Sequence, residues 1–266
     1  MPDMLAELDA FLLELNRASA EVILPLFRAE NGLEDKGKNG AFDPVTSADR
    51  GAEAAIRRLI EARYPDHGVI GEEYGVDRPE AEFVWVLDPI DGTRAFIAGL
   101  PVWTTLIGLR RDGAPTLGSI GQPFTGEVFI GTKAGSRVVG RGGEAPLRTR
   151  KGLPLAKTII STTDPDGVFD AAEFAAWTAL RKASRLARAG CDAYAYAMVA
   201  TGTIDIDVET QLKCWDIEAA IPVIEGAGGV VRDWAGKPVG PDAGRVIIAG
   251  DEALLDEALP ILALAG

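Results

Sequence analysis

The chain has 266 residues, with 27 basic and 40 acidic side chains and a formal net charge of -13. At roughly 150 residues per domain, that length makes one large or two small domains, ample for a buried core. Hydrophobic residues make up 47% and charged residues 25%, which excludes a largely disordered chain. The acidic balance also excludes a nucleic-acid polyanion as main partner and suits cations, metal ions among them.

Leu5, Leu8, Leu12, Leu15, Ile23, Leu24 and Phe27 recur at helical spacing and predict an amphipathic helix over 4–28. Gly32 and the stretch Lys36-Gly37-Lys38-Asn39-Gly40-Ala41 break it with a polar, glycine-rich loop. Thr46, Ser47 and Asp49 open a second helix with Ala52, Ala55, Ile56, Leu59 and Ile60 on its apolar face, ending before Pro65. A short strand around Val69-Ile70 and a longer one over 83–87 both run into acidic residues, Glu72-Glu73 and Asp88. Runs at 102–110, 115–122 and 127–132, separated by turn sequences at 111–113 and 123–126, predict an antiparallel region. Beyond Pro154, strands at 158–161, 184–187, 204–209 and 245–249 alternate with helices at 167–182, 191–201, 215–227 and 251–264. Residues 1–148 thus read as helices on an antiparallel sheet, and 149–266 as closer to α/β. No repeat or low-complexity linker divides them, so a single domain over 1–266 is expected.

His67 is the single histidine, so chemistry that needs two is excluded. A one-histidine triad survives the count, but no G-x-S-x-G elbow is present to carry its serine. Cys191 and Cys214 cannot make a disulfide framework or a four-ligand zinc site, and read as reduced, partly buried thiols. Residues Met1 to Glu7 lack the basic start and apolar core of a signal peptide. The longest apolar stretches fall short of the ~20 residues that span a bilayer. A cytoplasmic protein with no membrane partner is expected.

The informative feature is a set of carboxylates placed just after apolar strands. Glu72 and Glu73 follow Val69-Ile70-Gly71; Asp88 and Asp91 follow the strand 83–87; Asp216 follows Cys214-Trp215 at a helix start. Acidic side chains at strand ends can converge on hard divalent cations, which prefer oxygen ligands. The ordinary alternatives are an Asp-Gly turn and an N-cap role for Asp216.

Gly71-Glu72-Glu73, Asp88-Pro89-Ile90-Asp91-Gly92-Thr93, and Cys214-Trp215-Asp216 with Glu225-Gly226-Ala227-Gly228-Gly229, in this order and spacing, resemble a known pattern. It is that of the inositol monophosphatase superfamily of metal-dependent, lithium-sensitive phosphatases. Asp43-Pro44-Val45-Thr46-Ser47-Ala48-Asp49 is similar to its upstream element, and the resemblance covers nearly the whole chain. It implies an α+β fold, a layered αβαβα sandwich of the inositol monophosphatase and fructose-1,6-bisphosphatase type. It also implies Mg²⁺ dependence and hydrolysis of a small phosphate monoester. Dimers are common in the superfamily, so a homodimer follows by analogy alone.

By this resemblance, Glu72, Asp88 and the Ile90 carbonyl hold one Mg²⁺, and Asp88, Asp91 and Asp216 a second. Asp88 then bridges the pair, and a third, weaker ion shares Glu72 and water ligands. Thr93, hydrogen-bonded to Asp49, orients the attacking water, with Glu72 helping through its metal. Gly92 and Thr93 begin a short helix whose free N–H groups cradle the phosphate. Such a set meets the needs of monoester hydrolysis with no covalent intermediate. Lys38 resembles a family position near the metal-bound water, and reads equally well as a solvated loop lysine. His67 is expected to be structural, and Thr46 a helix-start residue near the site.

Substrate choice rests on weaker features. The stretch from Asp91 to Ile107, including Arg94, resembles the histidinol-phosphate phosphatase branch, as do Ile120-Gly121-Gln122-Pro123 and Gly190-Cys191-Asp192-Ala193-Tyr194-Ala195-Tyr196-Ala197. Inositol phosphatases usually carry an Asn-Phe pair after the Gly-Thr. Phosphatases of 3′-phosphoadenosine 5′-phosphate share a basic residue at Arg94 but need a basic patch that this acidic chain does not show. Histidinol phosphate carries an amine and an imidazole, so acidic side chains are expected at the far wall of the pocket. Asp192 and Glu209 are the candidates. Asp192 also reads as an N-cap for the helix that follows. An inositol or broad-specificity phosphatase, and a non-catalytic binding protein on the same fold, are the alternatives.

Overall fold

The computed structural model describes residues 2–29, 34–35 and 44–265. The expected glycine-rich loop, with Gly32, Lys38 and Asp43, lies outside the described residues. Helices α1 (Pro2–Ile23) and α2 (Ser47–Arg63) form on the expected apolar spacing. Helix α1 stops at Ile23 rather than 28, because Pro25 follows and Leu24–Leu26 tighten into a 3₁₀ turn. A short antiparallel pair, β1 (Glu34–Asp35) and β2 (Pro44–Val45), falls between them in the chain. Helix α2 starts on a reciprocal cap. The Thr46 hydroxyl accepts from the Ala48 N–H, and the Asp49 carboxylate accepts from the Thr46 N–H.

The first sheet contains β3 (Gly68–Gly71), β4 (Gly75–Asp77), β5 (Phe83–Asp91), β6 (Thr104–Arg111), β7 (Ala114–Gln122), β8 (Glu127–Thr132), β9 (Gly135–Gly140) and β10 (Gly143–Pro146). Their spatial order is β10-β9-β8-β7-β6-β5-β3-β4, antiparallel except where β3 runs parallel to β5. The short helix α3 (Thr93–Ile97) joins β5 to β6. Strands β4, β9 and β10 have no counterpart in the sequence reading. Both β4 and β10 are wholly exposed, so no apolar alternation marks them.

The second half adds β11 (Ile159–Thr162), α4 (Ala171–Ala183), β12 (Leu186–Ala189), α5 (Asp192–Ala200), β13 (Ile206–Leu212), α6 (Cys214–Ile217), α7 (Ala220–Gly226), β14 (Val230–Asp233), β15 (Gly244–Ala249) and α8 (Glu252–Leu262). The sheet order is β12-β11-β13-β15-β14. Strand β11 runs parallel to β12 and β13, but β15 is antiparallel to both of its neighbours. The sheet is therefore mixed rather than α/β throughout. Four expected boundaries change here. The strand expected over 204–209 lies at Ile206–Leu212. The helix expected from 167 begins at Ala171, because Asp170 caps it reciprocally with Glu173. The strand expected over 184–187 lies at 186–189. The helix expected over 215–227 is divided into α6 and α7.

These elements stack in five layers. Leu8, Leu12, Leu15, Ile56 and Ile60 of α1 and α2 pack on Trp85, Leu87, Ile107 and Leu109 of the first sheet. The opposite face presents Leu106, Ile120 and Phe129 to a middle layer of α5, α6 and α7. That layer also covers Val231, Val246 and Ile248 of the second sheet. On its far side Ile160, Ile206, Val208 and Ile247 meet Trp177, Leu180, Leu254 and Ala258 of α4 and α8. The result is the expected αβαβα sandwich. Side chains alternate across a strand, so with Ile206 and Val208 facing outward, Asp207 and Glu209 turn toward the middle layer. No helix among the described residues is long and apolar enough to cross a membrane.

Candidate active site

Strand β5 carries its apolar run Val84–Leu87 directly into Asp88-Pro89-Ile90-Asp91 without leaving the sheet. Its register against β6 shifts between Asp88 and Asp91, paired with Leu106 and Thr104. The proline cannot donate to the ladder, which suits it to this irregularity. Ile90 drives its side chain into a core with Phe96 and Trp103. Its N–H donates to Asp88 Oδ1 at 3.0 Å, and the Pro89 carbonyl accepts from the Thr105 hydroxyl at 2.8 Å. The two aspartates are thus held by backbone on both sides.

Asp216 reaches the same place from α6. It stands at the third helical position, and its Oδ2 accepts from the Lys213 N–H at 2.6 Å. Lys213 occupies the cap position, which corrects the N-cap alternative for Asp216. One carboxylate oxygen each from Asp88, Asp91 and Asp216 lies within 4.8 Å of the others. Burial first, then repulsion from Glu72, Asp91, Asp216 and Asp49, pushes the Asp88 carboxyl well above its ordinary range. Burial and then Asp192 do the same to Asp91, against the Ala193 N–H. Burial raises Asp216 to about 6, opposed by Lys213. Clustered carboxyls that resist ionising are stabilised by an added cation, and an all-oxygen donor set fits a hard divalent ion such as Mg²⁺.

Glu72 sits in the turn after β3, where its N–H donates to the Leu87 carbonyl at 3.2 Å. It lies outside the three-aspartate group and acts on Asp88 through space. The turn is held by Glu53 of α2, which sequence reasoning missed. Glu53 is fully buried and accepts from the Glu73 N–H at 2.8 Å, the Tyr74 N–H at 3.2 Å and Arg57 Nε at 2.7 Å. A Cβ on Gly71 would stand 2.0 Å from Glu53 Oε1, so any other residue there would displace the Glu53 carboxylate. The available signal was its phase: Glu53 shares the buried stripe of α2 with Ile56 and Ile60.

Asp49 lies on that stripe too and is buried. Its Oδ2 accepts from the Thr46 N–H at 2.8 Å and the Thr46 hydroxyl at 2.6 Å. Thr93 Oγ1 stands 3.4 Å from Asp49 Oδ1 and 3.1 Å from the Ile90 carbonyl, giving one hydroxyl proton two acceptors. Gly92 caps α3 in the left-handed region, at φ 81°. A Cβ there would stand 2.7 Å from Asp192 Cγ. Asp192 is the first residue of α5, and Cys191 fills the cap position without a side-chain bond. Asp192 is therefore not the N-cap. Asp91 serves the helix instead, accepting from the Ala193 N–H at 2.6 Å. Burial raises the Asp192 carboxyl to about 6, while the nearby Arg94 charge lowers it. Arg94 is exposed on α3 and pairs with Asp164 at 2.9 Å.

Glu209 is 5% exposed, and its Oε1 accepts from the Thr163 hydroxyl at 2.8 Å. Burial, then Asp207, drives its carboxyl well above the ordinary range. Sequence reasoning passed over Asp207, although its alternation with Ile206 and Val208 places it beside Glu209 on the inner face. Both cysteines are free and half-buried, as expected.

A five-layered sandwich with carboxylates gathered at the end of β5 defines a layered small-molecule phosphatase. The chain belongs to the inositol monophosphatase family, whose model matches residues 4–263. It is similar to the "Bifunctional phosphatase IMPL2, chloroplastic" of Arabidopsis thaliana, 40% identical over 96% of this chain and 76% of that protein. A "Histidinol-phosphatase" of Chlorobaculum parvum is 34% identical over 73% of this chain and 74% of its own length. A solved structure of an inositol monophosphatase from Zymomonas mobilis superposes with a TM-score of 0.83 at 38% identity. That match covers 95% of this chain and 96% of the other.

Proposed function

We propose that the protein is a Mg²⁺-dependent histidinol-phosphate phosphatase, hydrolysing L-histidinol phosphate to L-histidinol and phosphate in histidine biosynthesis. Glu72, Asp88, the Ile90 carbonyl, Asp91 and Asp216 would hold two to three ions. Bound Mg²⁺ supplies charge neutralisation for the phosphate, acidifies a water and stabilises the leaving alkoxide. With its proton directed at Asp49 Oδ1, Thr93 Oγ keeps a lone pair free to accept from the attacking water. The Gly92 and Thr93 N–H groups, at the start of α3, are offered to the phosphate oxygens.

The observation that carries the substrate assignment is a pair of additional carboxyls, half-buried Asp192 and buried Glu209. Asp192 acts electrostatically on Asp91, and Asp91 on Glu209. Neither belongs to the three-aspartate group. Carboxyls on that side suit a leaving group that bears an ammonium and an imidazole, not a ring of hydroxyls. The likeness to a histidinol-phosphatase supports the same choice. Turnover of a panel of phosphate monoesters with Mg²⁺ tests it, and histidinol phosphate is expected to have the highest kcat/KM. The likeness to an inositol monophosphatase favours a second reading. Preference for inositol 1-phosphate would establish that reading instead, and a flat profile across the panel a broad-specificity phosphatase.

A further inference from the structure

Asp207 is a fully buried acid on the central strand of the second sheet, and no step above uses it. It pairs in register with Ser161 of β11, whose hydroxyl donates to Asp207 Oδ2 at 2.5 Å. Oδ1 is buried, and no N–H or O–H among the described residues donates to it. The Glu209 side chain leaves the same face of β13 two residues along, beside Asp207, and each carboxyl acts on the other. Two ionised carboxylates offer only acceptors to each other. A hydrogen bond between them therefore requires that one be the acid.

We propose that Asp207 and Glu209 hold one proton between them, and that Asp207 is thereby a positioning residue that sets the charge and orientation of Glu209. This rests in part on the reading above, in which Glu209 faces the cationic end of the substrate. The shared proton gives the orphaned Oδ1 its donor and leaves the pair with a single negative charge. An ionised buried pair would instead carry two charges with no adjacent cation.

The surrounding groups leave that charge uncompensated. Ser161 and Thr163 donate from β11 and the segment after it. From α5, Asp192 raises both acids, and Tyr196 and Cys191 lie within their electrostatic reach. Asp91 adds a further negative group from β5, and Asp216 another beside Tyr196. Arg188 of β12, beyond Ser161 in the same row, is exposed, and Arg94 acts on Asp192 rather than on this pair. Burial, with Asp192, raises the Asp207 carboxyl to about 7 against its hydrogen bonds. Burial, then Asp207, with Asp192 and Asp91, raises Glu209 well above the ordinary range, in keeping with one retained proton.

Two measurements on the full chain test the pair. The first is the infrared spectrum of the metal-free protein at neutral pH. Beside the band of the Asp88 and Asp91 acids, which both variants keep, the wild type is expected to show a carboxylic-acid carbonyl component that Glu209→Gln removes and Asp207→Asn shifts, read as a difference spectrum. Asn keeps a donor for Glu209 but cannot titrate, so Glu209 carboxyl titration, followed by carbon-13 NMR, should drop by at least one pH unit in that variant. A Glu209 that titrates in the ordinary carboxylate range in the wild type would overturn the proposal without any variant. So would an unchanged Glu209 titration in a folded Asp207→Asn protein.

The second measurement is the pH profile of kcat/KM for a cationic phosphate monoester and a neutral one. The wild type should show a near-neutral inflection for the cationic ester that Asp207→Asn removes, with the shape of the neutral ester's profile kept. An equal fall for both esters with no change in profile would make Asp207 merely structural. A shared proton in the spectra without a cation-specific inflection would leave the pair standing and overturn the histidinol-phosphate reading.

Discussion

Asp91 and Ala193 stand 102 positions apart, yet the Ala193 N–H donates to Asp91 Oδ2 at 2.6 Å. The bond ties the end of β5 in the first sheet to the start of α5 in the middle layer. One oxygen of an acid in the candidate metal group therefore also caps a helix. Asn at position 91 keeps an acceptor for that N–H and removes the charge; Ala removes both. Asp91→Asn should leave the metal-free protein at least as stable as wild type, because it relieves repulsion with Asp192 and Asp216. Asp91→Ala should be less stable than Asp91→Asn by about 1 kcal/mol, a typical capping contribution. Both should show a smaller rise in Tm on adding Mg²⁺, because the ion assigned to Glu72, Asp88 and Ile90 does not use Asp91. Thermal unfolding with and without Mg²⁺ checks this, and a response as large as that of the wild type in either variant would remove Asp91 from the metal set.

Thr93 hangs between Asp49 and the Ile90 carbonyl, and its proposed part is to orient water. Thr93→Ala should lower kcat by roughly 10²–10³, the scale of other preorganised hydrogen-bond losses. Thr93→Ser should restore most of it, since the hydroxyl is what matters. Mg²⁺ affinity, measured by calorimetry, should barely change in either variant. A mutant defective mainly in Mg²⁺ binding would place Thr93 among the ligands.

Glu209→Gln keeps shape and hydrogen bonding but cannot carry charge. A partly desolvated carboxylate–ammonium contact is worth roughly 1.5–3 kcal/mol, or about 10- to 150-fold in kcat/KM for histidinol phosphate. Glycerol 2-phosphate has no cation to lose, so its kcat/KM should fall far less. The ratio between the two esters is the readout. An equal drop would mean that Glu209 supports the fold or the metal site.

His67 titrates away from the site. Its ring stacks on Tyr64 at 4.6 Å and Phe83 at 4.9 Å, and its Nδ1 accepts from Trp85 Nε1 at 3.1 Å. Burial lowers its pKa, although Asp66 and Glu82 pull the other way. The unfolded chain then binds the proton more readily than the folded one. The neutral ring's contribution is complete above the unfolded value of about 6.5 and is lost as pH falls through the lower folded value. His67→Phe keeps the stacking but has no acceptor for Trp85 and no proton to gain. The Tm advantage of the wild type over His67→Phe should shrink between about pH 7 and pH 5. Parallel Tm curves would show that His67 does not titrate in this window.

Much of the architecture was legible because burial leaves a period in the sequence. The 3.6-residue spacing of Leu8, Leu12, Leu15, Ile56 and Ile60 marked α1 and α2, and all five are buried. The run Val84–Leu87 marked a strand covered on both faces. Strands β4 and β10 were invisible because their side chains are exposed and meet no core. The break between α6 and α7 escaped notice because Ile217, Ala220, Val223 and Ile224 enter one core from both sides of it.

The resemblance to the inositol monophosphatase superfamily implied the five-layer plan. What the chain determined by itself was its main helices and strands, with Glu72, Asp88 and Asp91 at strand ends and Asp216 at a helix start. Each depends on residues near one another in sequence, where propensity, capping and alternation act. The tertiary structure alone decided which distant partner each acid would meet. Glu53 takes the N–H of Glu73, 20 positions away, and Asp207 takes the hydroxyl of Ser161, 46 positions away. It also decided that Asp91, not Asp192, would cap α5. Sequence periodicity tells which side of an element is buried. The partner waiting on that side is set by sheet order and layer stacking, because only the closed fold brings those groups within hydrogen-bonding distance.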